Sequence, residues 1–486
     1  MGKLFHGVNI EEVPTRVLPP RVVSASIPFV VGLAPIHRTK SAAADVINKP
    51  VLCNTYEEFV TQFGESDDAK YTLCEFAKVF FGLYNVGPIV VVNVLDPASD
   101  KTAVASEAAV MAAGTYTLKQ DAVLSTLIVK SQDGSKTYVL DTDYTAEYDE
   151  DGYILITRLS DGAITTATSA LQLSYDKIGA TPCTAEDIIG GVNVMTGANE
   201  GLQCIEDVYA LHSVIPGMIL CPGWSKTPSV ALAMAAKTTG INSLFSAIAI
   251  ADVDSGAAAA DQYTKVNNWK NTNSYTNGHL GVCWPKVKLD SAVYWLSSHL
   301  AGRIAATDAD NGDVPYVSPS NKSLQINGLV TDNGSPVVLT IPQADTLNQQ
   351  GVITGLQFNG WKCWGNRTGD YPGSTDPKDA FLSVRRMMNW IGNNVVLLLW
   401  QKLDDPLNRR TVETAVDSVN QWLNGLVARG SINAGRCEFV QGENSNVSLS
   451  DGKLTLHLYV TPPSPAEQIN VILEYAVNGN SAVFGE

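Results

Sequence analysis

Ile89-Val-Val-Val-Asn-Val-Leu95 carries apolar side chains on both faces of any strand it forms. A strand covered on both sides belongs in a mostly parallel sheet, with helices above and below it. Outward from it, Ile27-Pro-Phe-Val-Val-Gly32 reads as a second short buried strand. Between the two, Thr55 and Glu58 fit a capping box for a helix carrying Phe59 and Phe63, with Gly64 as its stop. Leu73, Phe76, Ala77 and Phe80 share one face of a second helix. The same grammar resumes near residue 200. Met218–Cys221, Leu244–Ile250 and His279–Trp284 are strand candidates, and one intervening helix has Thr227 as cap with Pro228 in its first turn. This is βαβ alternation around a mostly parallel sheet.

Residues 100–190 interrupt the pattern. Thr126–Val129, Thr137–Leu140, Tyr153–Thr157 and Leu171–Tyr175 read as strands, punctuated by Asp133-Gly134, Asp151-Gly152 and Asp161-Gly162. Between Thr115 and Ala180, ten Asp and Glu face five Lys and Arg, so the insertion is acidic as well as all-β. A small sandwich or barrel is expected. From Leu347 to Gly430 the chain reads as mainly helical. Val412, Ala415, Val416, Val419, Trp422, Leu423 and Leu426 form an amphipathic stripe that ends at Gly430. Leu454, Leu456, Leu458 and Val460 alternate as a half-buried strand, and Ile469–Tyr475 is a further strand after Pro462, Pro463 and Pro465.

The two ends differ from the body. In residues 1–20, Val8, Ile10 and Val13 alternate with polar neighbours, and Pro14, Pro19 and Pro20 prevent helix. Such an arm buries little against its own domain and needs an outside partner to order it. The expected class is therefore an α/β (α+β) core assembled from N- and C-terminal parts, with an inserted all-β domain and extended arms at both ends. The divisions are 1–20 N-terminal arm, 21–99 first part of the core, 100–190 β insertion, 191–345 core continued, 346–468 C-terminal domain and 469–486 C-terminal arm.

Composition narrows the function. At 486 residues the chain supports two or three domains with real cores, and 45% hydrophobic content is that of a globular protein. A net charge of −16 argues against nucleic acid, whose phosphates need clustered Lys and Arg, and against anionic membranes. No apolar run approaches the ~18–20 residues needed to span a bilayer. The start has no signal-peptide core, and His6 stands where a myristoylation motif after Gly2 needs Ser or Thr. Eight widely spread cysteines with no CxxC pair read as small buried hydrophobes in a reducing compartment.

The chemical motifs are missing. There is no Walker loop, GxGxxG, HExxH or GxSxG, and the six histidines stand apart from one another. Asp141-Thr-Asp143-Tyr-Thr145 begins like a calcium loop, but Ala146 replaces the turn glycine and Gly152 the closing glutamate, so it reads as a solvated acidic hairpin. Arg367 lies beside Trp361 and Trp364, where it reads as an arginine stacked on tryptophan that holds a turn. Arg385-Arg386 and Arg409-Arg410 read as solvated helix faces, or as contacts to a more acidic partner. No catalytic residue, cofactor or metal is expected.

Several segments, in order and spacing, resemble the contractile tail sheath proteins. They are Phe29-Val-Val-Gly32, Pro50-Val-Leu52, Phe59 through Phe63-Gly64, Phe80-Phe81 and Val90–Val94; then Leu300-Ala-Gly-Arg-Ile304 and Thr307-Asp308; then Leu347-Asn348 with Gly351, Trp364-Gly-Asn-Arg-Thr368, Arg385-Arg386, the helix through Trp422 and Pro465-Ala-Glu467. Ser318-Pro-Ser-Asn-Lys322 departs from the family's usual Ala-Pro-Ala-Asn-Lys. The resemblance implies a non-enzymatic subunit that stacks as hexameric rings around an inner tube and contracts to drive that tube through a cell envelope. It implies arms that add strands to neighbours, through Val8, Ile10 and Val13 at one end and Ile469, Val471 and Leu473 at the other. It makes Trp364, Gly365, Asn366, Arg367, Thr368, Pro465 and Glu467 structural, and Arg409 and Arg410 tube contacts. The implied partners are the chain itself, a tube protein, and baseplate and terminator proteins, in a virion tail or headless particle assembled in the host cytoplasm. A self-assembling shell or surface-layer protein, and an α/β enzyme with a β accessory domain, are the alternatives.

Overall fold

A computed structural model describes residues 21–22, 24–39, 45–167 and 169–475. The expected arm strand through Val8, Ile10 and Val13 lies outside the described residues.

The body is organised on one eight-stranded sheet, in the order Trp361–Trp364, Val352–Gln357, Leu280–Cys283, Ile248–Asp252, Met218–Leu220, Pro28–Gly32, Ile89–Asn93, Val51–Cys53. The interior pairings are parallel and the two edge pairings antiparallel. Strands from early and late in the chain meet at the centre, where Phe29 faces Ile219. Pro28–Gly32, Ile89–Asn93 and Ile248–Asp252 are buried at every position, as both-face apolarity requires. The helices follow their signals. Tyr56–Phe63 is capped by the Thr55 hydroxyl, which accepts from Glu58 N at 3.2 Å, while the Glu58 carboxylate reaches back to Asn54 N at 2.7 Å. The helix Leu296–Asp310 is apolar or small nearly all round and is buried on most of its surface, so it sits inside the layer rather than on it.

Residues 101–178 form two three-stranded antiparallel sheets. One joins Thr115–Leu118, Ile154–Arg158 and Tyr144–Tyr148; the other joins Lys101–Val110, Ala170–Ile178 and Ile128–Ser131. They enclose a separate hydrophobic cluster that includes Leu118, Val129, Ile154, Ile156, Leu171 and Leu173. A third cluster gathers Met387 and Ile391 from the helix Leu382–Trp400, Val419, Leu423 and Leu426 from the helix Arg409–Ala428, and Cys437 from a two-stranded hairpin, Ala434–Glu438 with His457–Thr461.

Four expectations need correction. Leu347–Gly430 is not helical from its start: Val352–Gln357 and Trp361–Trp364 are strands of the main sheet, because Val352 pairs with Val282. Thr137–Leu140 makes only isolated bridges, since its neighbours are a turn at Gly134 and the loop before Tyr144. The strand expected to begin at Leu454 starts at His457, because Asn444 takes up the Thr455 backbone at 2.8 and 2.9 Å. Ile469–Tyr475 forms no strand, because no neighbouring strand lies alongside it among the described residues.

Candidate functional site

In open α/β sheets, ligands bind where the chain reverses its direction of travel across the sheet, at the carboxyl ends of the strands. Here that place lies between Pro28–Gly32 and Met218–Leu220, and it is filled. A Cβ on Gly223 would meet Thr72 Cγ2 at 3.0 Å and Trp295 Nε1 at 3.2 Å, so the loop passes there only as glycine. Glu75 accepts from Trp295 N at 2.6 Å; Asp252 accepts from Ser297 N at 3.0 Å and from Ser297 Oγ at 2.5 Å. Both carboxylates are thus used on the first turn of the buried helix Leu296–Asp310. Burial lifts the Asp252 carboxyl to about 6 and that of Glu75 to about 8. Lys286 Nζ lies 4.0 Å over the Trp295 ring and closes the top.

The acidic loop is occupied in the same way. Asp143 accepts from Val139 N at 2.8 Å and Ala163 N at 2.7 Å, and Asp149 accepts from Tyr153 N at 2.8 Å. These carboxylates serve as turn caps. Among the described residues no group of three or more His, Cys, Asp or Glu is arranged to hold a metal ion, and no helix is long and apolar enough to cross a membrane.

What the structure offers instead is a set of roots and edges. The N-terminal segment is held where it enters the body: Asp313 accepts from Ser24 N at 2.7 Å and Ala25 N at 3.1 Å, and Arg386 Nη2 donates to Ser26 Oγ at 2.6 Å. Arg386 also pairs with Asp308, and both are buried. The Arg385-Arg386 doublet is therefore not a solvated face. Asp379 takes Arg385 and Asp308 takes Arg386, because elements carrying those carboxylates pack on the helix Leu382–Trp400.

The Trp364–Thr368 motif closes the edge of the main sheet. Trp364 Nε1 donates to Asp345 at 3.0 Å, Gly365 N to Ser320 Oγ at 3.1 Å, and Thr368 Oγ1 to the Asp379 carbonyl. The Arg367 guanidinium is not on Trp361 or Trp364. It lies 3.8 Å from the Phe381 ring centre and 4.1 Å from that of Tyr371, because an isolated bridge sets Arg367 opposite Phe381. Its free edge takes Glu467 in a two-pronged pair, with Nε to Oε1 at 2.8 Å and Nη2 to Oε2. Two motifs a hundred positions apart thus meet in one contact.

Beyond Glu467 the chain leaves the body. Ile469, Val471, Ile472, Leu473 and Tyr475 are 77–96% exposed. Nearby, the hairpin Ala434–Glu438 with His457–Thr461 is a sheet of two strands, so each strand keeps one edge without a strand partner among the described residues. The hairpin is fixed from beneath by Asn420, whose side chain bonds the Cys437 N and O at 2.7 and 2.8 Å. A second exposed region is the turn between the two long helices, where Trp400 and Leu403 are 55% and 59% exposed. Arg409 stands beside it, open to solvent and paired with Glu413 at 2.7 Å.

One polar cluster escaped sequence reasoning. Asp121, at the margin of the β-rich region, receives His37 Nε2 at 2.8 Å, Arg38 Nη2 at 2.7 Å, Lys70 Nζ at 2.6 Å and the Tyr71 hydroxyl. Burial alone would raise its pKa, but these donors hold it far below the usual carboxylate range. The same burial lowers the pKa of His37. No local motif announces donors that lie 50 to 84 positions before the carboxylate they reach.

Comparisons with known proteins accord with this picture. No family model matches the chain. It is 28% identical over 477 residues to the tail sheath protein of Burkholderia phage BcepMu, covering 96% of this chain and 95% of that one. It shares its fold with a chain of the anti-feeding prophage baseplate, at a TM-score of 0.60 and 15% identity, covering 97% and 99% of the two chains. The contracted sheath complex of the extracellular contractile injection system PVC follows, at a TM-score of 0.55 and 14% identity, covering 99% of each.

Proposed function

We infer that this chain is a contractile tail sheath protein, a structural subunit that works by assembling and changing shape. The observation that carries the reading is likeness to a tail sheath protein along nearly the whole chain, joined to a fold shared with contractile injection assemblies. The filled switch-point crevice and the fully employed carboxylates fit it, because an enzyme on this sheet would need that crevice open. The purified chain, viewed by negative-stain electron microscopy, should form striated tubes or stacked rings. A chain that stayed monomeric at every concentration and salt tested would overturn the reading, and flat two-dimensional arrays would favour a surface layer.

In finer terms, the subunits stack as hexameric rings around an inner tube, between a baseplate and a terminator, in a virion tail or headless particle assembled in the bacterial cytoplasm. Folded bodies move rigidly and their connections flex, since packed interiors resist deformation. The exposed run from Ile469 to Tyr475 and the open hairpin edges support linkage by strand addition, in which Ile469, Val471 and Leu473 lie on one face and meet a neighbour's hairpin. Val8, Ile10 and Val13 do the same at the other end. The separate hydrophobic cluster supports reading residues 100–190 as an inserted β domain on the outer face. Arg409 and Arg410, with the apolar turn at Trp400 and Leu403, are the tube contact.

A further inference from the structure

We propose that the Arg367–Glu467 pair is the positioning clamp for the outgoing C-terminal segment: it fixes the direction in which that segment leaves the body, and so which neighbour it reaches. This rests on the sheath reading above.

The argument begins with where the chain is held. His457–Thr461 is tied into the hairpin, and Asn433 N donates to the Thr461 carbonyl at 2.8 Å. Pro462, Pro463 and Pro465 then stiffen a short strap, since each fixes its own φ and restricts the residue before it. The strap runs from the third hydrophobic cluster back to the edge of the main sheet and ends on Arg367. From Gln468 to Tyr475 every residue is exposed, and the one side-chain hydrogen bond described there is local, Gln468 to Asn470 at 2.9 Å. Glu467 is therefore the last described point at which the chain is tied to its own body.

A surface ion pair is ordinarily worth little, because two long side chains must be ordered to make it. Here the arginine is ordered beforehand. Phe381 and Tyr371 hold the guanidinium plane, and its side chain is only 15% exposed. A planar fork so fixed accepts a carboxylate in one orientation, whereas a lysine would define a distance but no direction. Glu467 stands two positions before Ile469, so a turn of the carboxylate about the fork swings the whole apolar run. The clamp thus acts on geometry more than on stability.

The experiment uses the full chain with spin labels at Asn470→Cys, exposed and off the face shared by Ile469, Val471 and Leu473, and at Val338→Cys, an exposed position on the body; tube yield is read on the unlabelled proteins. The eight native cysteines are free and buried, which keeps the labels selective. Glu467→Gln and Arg367→Gln are compared with the parent by inter-label distance in dilute, unassembled protein, by tube yield in negative stain and by melting temperature. Both variants broaden the distance distribution and lower tube yield about tenfold, roughly the worth of one charge-assisted pair, with the melting temperature unchanged. An unchanged distribution overturns the clamp, as does a fall in melting temperature that accounts for the lost tubes. A parent chain that forms no tubes counts against the sheath reading, and the distance distribution then judges the clamp by itself.

Discussion

Deleting residues 469–486 is the sharpest test of linkage by strand addition. Ile469, Val471, Leu473 and Tyr475 share one face of an extended segment and are 77–96% exposed on the isolated chain. Burying them on a neighbour is worth about 2 kcal/mol each, or about 8 kcal/mol. About four main-chain hydrogen bonds to an open hairpin edge add about 4 kcal/mol. Ordering about seven residues costs about 10 kcal/mol. The surplus is about 2 kcal/mol for each link, which makes a single link weak and a ring of them strong. Deletion should therefore raise the critical concentration for tube formation about thirtyfold. It should leave the melting temperature of the unassembled chain unchanged, because every described residue from Ile469 to Tyr475 is exposed. Sedimentation of tubes across a concentration series, beside calorimetry of the dilute protein, gives both numbers. Equal critical concentrations for full and truncated chains would refute the linkage, and a lower melting temperature would show that the run packs on its own body.

Three further outcomes follow from the same structure. Glu75 and Asp252 have folded-state pKa values of about 8 and about 6, above those of an unfolded chain; their contribution to stability is full below about pH 4 and is lost as pH rises to about 8. Denaturant unfolding at pH 5 and pH 8 should show wild type losing stability over this window, on the order of 1 kcal/mol of it through Asp252, whose folded pKa of about 6 leaves about one pH unit of the window to act, with a flatter dependence in Asp252→Asn. Asp121→Asn removes the carboxylate shared by His37, Arg38 and Lys70 and leaves the half-buried Arg38 without its partner; it should cost about 2 kcal/mol and speed proteolysis between residues 100 and 120, and unchanged digestion would show that the cluster does not hold the β-rich region in place. Arg409→Glu with Arg410→Glu should leave the melting temperature within about 1 °C, since surface changes rarely matter to stability, yet weaken tube association in a salt-dependent way; equal association at low salt would remove these residues from the contact.

The central strands were legible because burial on both faces forces apolarity at every position, and Ile89–Asn93 and Pro28–Gly32 show it. The strand Val352–Gln357 was not, because Gly355 interrupts its pattern. A Cβ there would meet Leu329 Cδ2 at 2.8 Å, so close packing overrides strand propensity. Lys101–Val110 is hidden in the sequence for a related reason: its alanines favour helix, and only pairing with Ala170–Ile178 makes it a strand. Arg367 and Glu467 each stand in a recognisable motif, but their meeting is tertiary and leaves no local trace. In sequence Arg386 reads as part of a helix face, because the Asp308 that neutralises it lies on another helix.

The two chain ends are moored with unequal strength. Ser24–Ser26 is tied through Asp313, Asp308 and Arg386 to two long helices, with the Arg386–Asp308 pair out of reach of water. Glu467 hangs from a surface pair that water and salt can compete for. Under tension the load path through Ser24 runs straight into the central sheet and its helices, whereas the path through Glu467 ends on a strap and a two-stranded hairpin. A pull shared by both ends would part the second mooring first and leave the first intact, so the molecule carries its own mechanical fuse.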